Sequence, residues 1–423
     1  MENPAARPVP AARPVPAAQP VPVAPPAPVA SGPPDGALPP LGRQVGQIPP
    51  SGIRALANAA WATPGAIHLE FGEPDWPTPP NIVAAADRAA RDGLTRYAPS
   101  QGVPRLREAV CAKLVRDNGW DGVTPDRVVV TPGGVGGLYC AYRAVLDPGD
   151  EILVPDPGWP NLASIALTVD ARPVRYRLDE RTGGFAGTAA LDAALTARTR
   201  AIVINTPSNP TGAVFSAADQ AVLGDWAAAH GLWVIADECY DQLWFDRPNT
   251  TFAVAAPHAP AITVFSLSKT YAMTGWRVGY TVGTPAATAR MARVVETMGS
   301  SVNTVAQWAA VEALEGPQLA VARMRDAYRE RRDAAVAAAG RLGLAHAVPA
   351  GAFYLWLGLP AAVTDPGRFA LDLLAATGVA LAPGDAFGAG GRGHARVSLA
   401  ASGTDIVRGL RATADYLASE GTA

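Results

Sequence analysis

Lys113 and Lys269 are the only lysines in a 423-residue chain whose lysine-plus-arginine total is 35. Arginine makes the better fixed ion pair because its planar fork stays charged, whereas lysine can shed its proton near neutral pH and act as a nucleophile or proton carrier. The lysine in "SLSKTYAMTGWR", Lys269, therefore points to amine chemistry, with a plain ion pair to Asp237 as the alternative. Asp237 ends the apolar run "LWVIAD", Asn209 follows "AIVINTPS", and Ser266, Ser268 and Lys269 follow "AITVF". A carboxylate closing a buried strand needs a cationic partner.

The segment "TPGGVGGLYCAYRAVL" runs from an apolar strand into a helix. Backbone amides at such a helix start can hold an anion. It is neither GxGxxG nor a P-loop, and a tight strand-to-helix turn is the alternative reading. Ser266 and Arg277, close to Lys269 in sequence, offer further donors and favour a phosphate anchor.

These residues need a scaffold, and the middle of the chain supplies the pattern for one. Short β-branched runs, "DRVVVT", "DEILVPD", "RAIVIN", "LWVIAD", "AITVFS" and "RVGYTV", alternate with alanine-rich helical stretches such as "AADQAVLGDWAAAHG". That alternation predicts an α/β fold with a large, mostly parallel sheet covered on both faces and its site at the strands' carboxyl ends. "IPPSGIRALANAAWAT" and "NIVAAADRAARDGL" read as helices before it. Two long helical patterns and the strands near "GAFYLWLGL" and "HARVSLA" predict a smaller α+β domain after it. The expected organisation is a disordered leader over 1–40, the N-terminal part of a small domain over 41–80, a large domain over 81–310, and the rest of the small domain over 311–423. The leader holds fourteen prolines and the repeat "AARPVPAARPVPAAQPVP", a composition that favours polyproline II and cannot bury a core.

Bulk properties narrow the function. A formal net charge of −2 with 17% charged residues gives no electrostatic footprint for nucleic acid or an anionic membrane, so no partner of either kind is expected. Cys111, Cys140 and Cys239 form no paired framework, and the five histidines show no metal-ligand spacing, so no metal is expected. No run is apolar enough for a membrane span and no signal-peptide pattern opens the chain, so the expected location is cytoplasmic.

The ordered segments "IPPSGIR", "FGEPDWPTPPNI", "RYAPSQGVPRLREAV", "TPGG", "LDPGDEILVPDPGWPN", "NTPSNPTGAV", "DECY", "SLSKTYAMTGWRVGY", "PAGAFY" and "HARVSLA" strongly resemble the fold type I pyridoxal-phosphate aminotransferases. The resemblance is to the class I branch containing bacterial and archaeal aspartate and aromatic enzymes, and it spans about residue 43 to the C-terminus. It implies pyridoxal 5′-phosphate as cofactor and exchange of an amino group between an amino acid and a 2-oxo acid in two half-reactions. Lys269 resembles the lysine that bonds the cofactor aldehyde and then moves the proton at substrate Cα. Asp237 resembles the partner of the protonated ring nitrogen, and Tyr240 and Asn209 the pair at the ring's 3-oxygen. Trp159 corresponds to the aromatic on one ring face, and Cys239 to the contact on the other, without a catalytic role. Phosphate binding falls by resemblance to the amides of Gly134 and Val135, to Ser266 and Arg277, and to Tyr97 from a neighbouring subunit, which implies a homodimer. Arg396 resembles the arginine that grips the α-carboxylate, aided by the backbone at Gly72.

The chain also departs from this pattern. Acid-specific members place a lysine after the Gly-Gly and a threonine in the first helix, where this chain has Val135 and Ile53. A second substrate carboxylate would lie unpaired there. The expected donor is therefore neutral, aromatic or aliphatic. Arg54 beside Ile53 keeps an aspartate-preferring enzyme open, and the small residues of "GVGGL" would widen the site. Elimination or ring closure with the same cofactor is a further alternative. A scaffolding role is disfavoured by the intact set Lys269, Asp237, Asn209, Tyr240 and Arg396.

Overall fold

The β-branched runs become the strands of a computed structural model that describes residues 41–42 and 44–419. Residues 1–40, where the expected leader disorder falls, lie outside the described residues, as do Arg43 and 420–423. All elements below belong to the unit that begins at Gln44. In chain order the strands are β1 (Ile67–Leu69), β2 (Val128–Thr131), β3 (Glu151–Asp156), β4 (Arg172–Arg177), β5 (Thr199–Asn205), β6 (Trp233–Asp237), β7 (Ala261–Ser266), β8 (Gly279–Val282), β9 (Tyr354–Gly358), β10 (Val379–Pro383) and β11 (His394–Ser398).

Seven of them form one sheet in the order β2-β8-β7-β6-β5-β3-β4. Neighbours from β7 to β4 are parallel, while β8 runs antiparallel to both β7 and β2. The mostly parallel α/β sheet expected from the alternating pattern is therefore present. Its strands are apolar at consecutive positions because helices cover both faces. Ala201, Val203, Ile235, Ile262 and Val264 share one core with the helices Gly133–Val145 and Pro285–Gly299. Ile202, Ile204, Val234 and Ala236 face the opposite core, which the helix Ala217–Ala229 closes through Leu223 and Trp226.

Strand periodicity then dictates where the polar ends point. Asn205, Asp237 and Ser266 continue the alternation of Val203, Ile235 and Val264, so three adjacent strands end in polar groups on one face. The Gly133–Val145 helix lies close over that face: a Cβ on Gly137 would meet Val264 Cγ1 at 2.8 Å. Gly136 and Gly137 are buried against Pro132, Val264 and Thr281, so this part of "GVGGL" serves helix-to-sheet approach instead of widening the site.

The remaining strands form a second sheet, β1-β10-β11-β9, with β1 parallel to β10 and the other pairs antiparallel. Tyr354, Leu355, Leu357 and Val397 join a core with Tyr328, Leu373 and Leu410 from the helices Leu319–Arg341, Pro366–Thr377 and Gly403–Ser419. The first helix, Gly52–Trp61, is capped by Ser51, whose side chain accepts the Arg54 amide at 3.2 Å, and buries Leu56 and Ala60 against Leu374 and Ala380.

Candidate active site

The polar strand ends open into a cavity of about 420 Å³, where residues of both sheets meet. Every residue expected at the site except Tyr97 lines it: Lys269, Asp237, Tyr240, Asn209, Trp159, Gly134, Val135, Ser266, Arg277, Cys239, Arg396, Gly72 and Ile53.

Lys269 sits on the short helical turn Leu267–Thr270 directly after β7, whose cap Ser266 accepts the Ser268 amide at 3.2 Å. Its Nζ donates to the Gly72 carbonyl at 2.6 Å. Burial lowers its pKa, favouring the neutral amine. Two residues of the following loop, Ala272 (φ 50°) and Arg277 (φ 55°), adopt left-handed backbone without being glycine. Such strain persists only where the surroundings enforce it and is concentrated at functional sites.

Asp237 is 2% exposed and accepts the Cys239 amide at 3.2 Å. Burial pushes its pKa up to about 6, opposed by hydrogen bonding at Cys239 and by the charge of Lys269. No lysine, arginine or histidine among the described residues lies within ion-pair distance of it, so the simple Asp237–Lys269 salt bridge is not formed. A buried carboxylate in this state fits a cationic ring nitrogen placed against it. Burial also raises the pKa of the Cys239 thiol, which disfavours the thiolate.

Tyr240 bonds through its hydroxyl to the hydroxyl of Tyr354 at 2.8 Å, and burial raises its pKa first, then the nearby Tyr354. Tyr354 in turn lies against Gly72, where any side chain would collide with its hydroxyl. Asn209 is anchored by its own amide, which donates to Asn205 Oδ1 at 2.8 Å, and its Oδ1 accepts Arg396 Nη1 at 2.8 Å. Arg396, on β11, is 2% exposed, with its guanidinium over Tyr354 at 4.3 Å and Phe387 at 5.0 Å. Its Nη2 donates to the Glu70 carbonyl at 2.5 Å, and its buried Nε has no partner among the described residues. The backbone group meeting Arg396 is thus that of Glu70, while the Gly72 carbonyl meets Lys269.

At the other end, the N-terminus of the Gly133–Val145 helix brings Gly134 and Val135 beside Ser266 and Arg277. Arg277 donates to Thr274 O at 2.7 Å and Pro132 O at 3.4 Å, which aims the guanidinium at the helix start. Free amides, a hydroxyl and a guanidinium converging on one spot form a donor set suited to phosphate.

Tyr97 lies elsewhere. It is 87% exposed and lines a separate cavity with Arg96 and residues 301–305. Sequence reasoning also passed over Asn205 and Tyr354, both of which line the main cavity. Asn205 carried a usable signal, since it closes a strand in the same phase as Asp237.

Residues 64–408 match the family described as aminotransferase class I and II. The probable aspartate/prephenate aminotransferase of Thermus aquaticus is 37% identical over 354 residues, covering 83% of this chain and 91% of the relative. The aspartate aminotransferase of Thermus thermophilus, solved with maleate, superposes with a TM-score of 0.85 at 36% identity, covering 89% of this chain and 100% of that one. The aromatic aminotransferase of Pyrococcus horikoshii superposes with a TM-score of 0.82 at 31% identity, covering 87% and 100%.

Proposed function

This chain belongs to the class I and II aminotransferases, and from that premise we propose that it transfers the amino group of a neutral, aromatic or aliphatic L-amino acid to a 2-oxo acid. It is a pyridoxal-phosphate-dependent transaminase of fold type I. The donor class rests on one observation: Val135 and Ile53 line the cavity, at positions where the family resemblance implies lysine and threonine in acid-specific members. A carboxylate held against them lacks a partner, whereas an apolar side chain buries its surface.

The cofactor supplies an aldehyde carbon and an electron-withdrawing ring. Around it we assign Gly134, Val135, Ser266 and Arg277 to the phosphate, together with Tyr97 of the partner subunit in a homodimer. Asp237 holds the positive charge at the ring nitrogen. Tyr240 and the Nδ2 of Asn209 donate toward the ring oxygen, while Trp159 and Cys239 cover the two ring faces. Lys269 would hold the cofactor at its aldehyde carbon through Nζ, and as a free amine would move the proton at substrate Cα. Arg396 holds the substrate α-carboxylate in a two-bond fork, which orients Cα and opposes loss of that carboxylate.

We further assign residues 81–310 to a large domain, 41–80 and 311–423 to a small one, and the protein to the cytoplasm. No described helix is long and apolar enough to cross a membrane.

The donor is tested in the first half-reaction alone, by mixing holoenzyme with single amino acids and following the change in cofactor absorbance. Phenylalanine, leucine or methionine ahead of aspartate supports the reading. Aspartate far ahead of all three overturns it and favours the activity that the Thermus relatives' names carry. Elimination instead of transfer is recognised by ammonia release without any 2-oxo acid acceptor.

A further inference from the structure

Tyr354 lines the cavity without a part in the chemistry assigned above, yet it touches three groups that border that chemistry. Its hydroxyl meets the Tyr240 hydroxyl at 2.8 Å, and the Arg396 guanidinium carbon stands 4.3 Å from the centre of its ring. The same hydroxyl rests against Gly72, whose carbonyl holds Lys269. The side chain is buried and fixed at the start of β9, edge-on to Tyr240 with the ring centres 5.8 Å apart. Among the described residues, Tyr240 is the only hydrogen-bond partner of the Tyr354 hydroxyl.

A pair of phenols holds two protons, and their order decides what the pair can do. If Tyr240 donates to Tyr354, its proton is spent and only lone pairs face the cavity. If Tyr354 donates to Tyr240, the Tyr240 proton stays free for an acceptor in the cavity. Two features favour the second order. A buried hydroxyl proton needs an acceptor, and Tyr240 gives Tyr354 the only one among the described residues, whereas Tyr240 also borders the open cavity. The second feature is electrostatic. Burial raises the pKa of both phenols, so both keep their protons at neutral pH, and at Tyr354 the main opposing cause is the charge of Arg396. A cation over its ring makes Tyr354 the stronger donor. Cys239 pushes both phenols upward and so does not set their order.

We propose that Tyr354 is a positioning residue: it donates its hydroxyl proton to Tyr240 and so commits the Tyr240 proton to the cofactor's ring oxygen. The proposal rests on the reading above that places Tyr240 at that oxygen. Donors in a chain polarise one another, so the Tyr354 bond strengthens the Tyr240 donation and stabilises negative charge on the oxygen. The proton shared between that oxygen and the Lys269 nitrogen is then released at lower pH than with Tyr240 alone.

The test follows the absorbance of holoenzyme against pH, without substrate, in wild type, Tyr354→Phe, Tyr240→Phe and the double variant. Removing a donor from an anionic oxygen moves the titration to higher pH. Tyr240→Phe should move it by about one to two units, and Tyr354→Phe by about half a unit. The double variant should match Tyr240→Phe, because Tyr354 acts only through Tyr240. Tyr354→Leu, which also lacks the donor, is titrated alongside, so that loss of fold in one variant leaves the other. Tyr354→Phe keeps the ring against Arg396, so the affinity of valerate, a non-reacting monocarboxylate, should change by less than about three-fold. A Tyr354→Phe titration unchanged or moved to lower pH, the same shift added on top of Tyr240→Phe, or a parallel loss of valerate affinity overturns the proposal alone. An unshifted Tyr240→Phe refutes the placement of Tyr240 at the ring oxygen, and the proposal with it.

Discussion

Arg396 of β11 donates to Asn209 Oδ1 at 2.8 Å, joining the smaller sheet to the loop that follows β5 of the larger one. The bond holds the guanidinium over the cavity with its planar face against Tyr354 and Phe387. Substrate recognition is thereby built from both sheets at once, and a substrate carboxylate arriving at Arg396 meets a donor already fixed in orientation.

Replacing Arg396 by lysine keeps the charge and loses the fork. Two charge-assisted hydrogen bonds are worth about 3 kcal/mol, so kcat/KM for any amino acid falls on the order of 100-fold. Cofactor affinity should stay within a few-fold, since the phosphate donors and Asp237 are elsewhere in the cavity. Equal losses in substrate and cofactor binding would assign Arg396 to the fold and not to the substrate.

Asp237 gives a pH signature. Burial holds its pKa at about 6 where an unfolded aspartate titrates near 3.8, so the native state keeps a proton the unfolded state has lost. Its contribution to stability is fully present below pH 3.8 and is lost as pH rises through about 6, amounting to about 3 kcal/mol. Protein freed of cofactor should show this fall in the difference between wild type and Asp237→Asn, measured by denaturant unfolding across pH 4–7. Added pyridoxal phosphate should abolish the difference, because the ring cation stabilises the carboxylate. The adjacent Glu238, raised from 4.5 to about 8 by burial, contributes a further loss as pH rises from about 4.5 through 8, which Asp237→Asn leaves in place and which therefore cancels in the difference.

The other lysine is structural. Lys113 is 2% exposed and pairs with Asp241, donates to Asn118 Oδ1 at 2.7 Å, and lies 4.9 Å from the centre of the Phe265 ring. Lys113→Met strands the Asp241 carboxylate in the interior and should cost about 3–5 kcal/mol in unfolding at fixed cofactor concentration. The double variant Lys113→Met/Asp241→Leu should recover much of that loss. Failure to recover would mean that the pair does more than neutralise itself.

How much of this is legible in the sequence depends on the kind of signal each residue leaves. The β-branched runs marked β2, β3 and β5–β8, and the polar residues closing them, Asp237 and Ser266, marked the site, because burial on both faces leaves few reasons for polarity there. The β4 run "RPVRYR" escaped notice because an edge strand tolerates alternate arginines, and β1 is only three residues long. Tyr354 was visible within "GAFY", but its bond to Tyr240 spans 114 residues and no local pattern encodes it. The role of Gly137 was misread for the same reason: its neighbour Val264 is remote in sequence and close in space. Arg54 reads in the sequence as a charge beside Ile53 that keeps acid recognition open, and its contacts with the Phe71 and Trp61 rings exist only in space.

The account stands on Lys269 as the amine that binds the cofactor, and this chain permits an unusually clean measurement of it. With only two lysines, borohydride reduction of the holoenzyme followed by peptide mass mapping has two side chains to choose between. The predicted result is the cofactor's mass fixed on the peptide containing Lys269, with Lys113 unmodified. Cofactor mass on Lys113, or on neither lysine, would contradict the account.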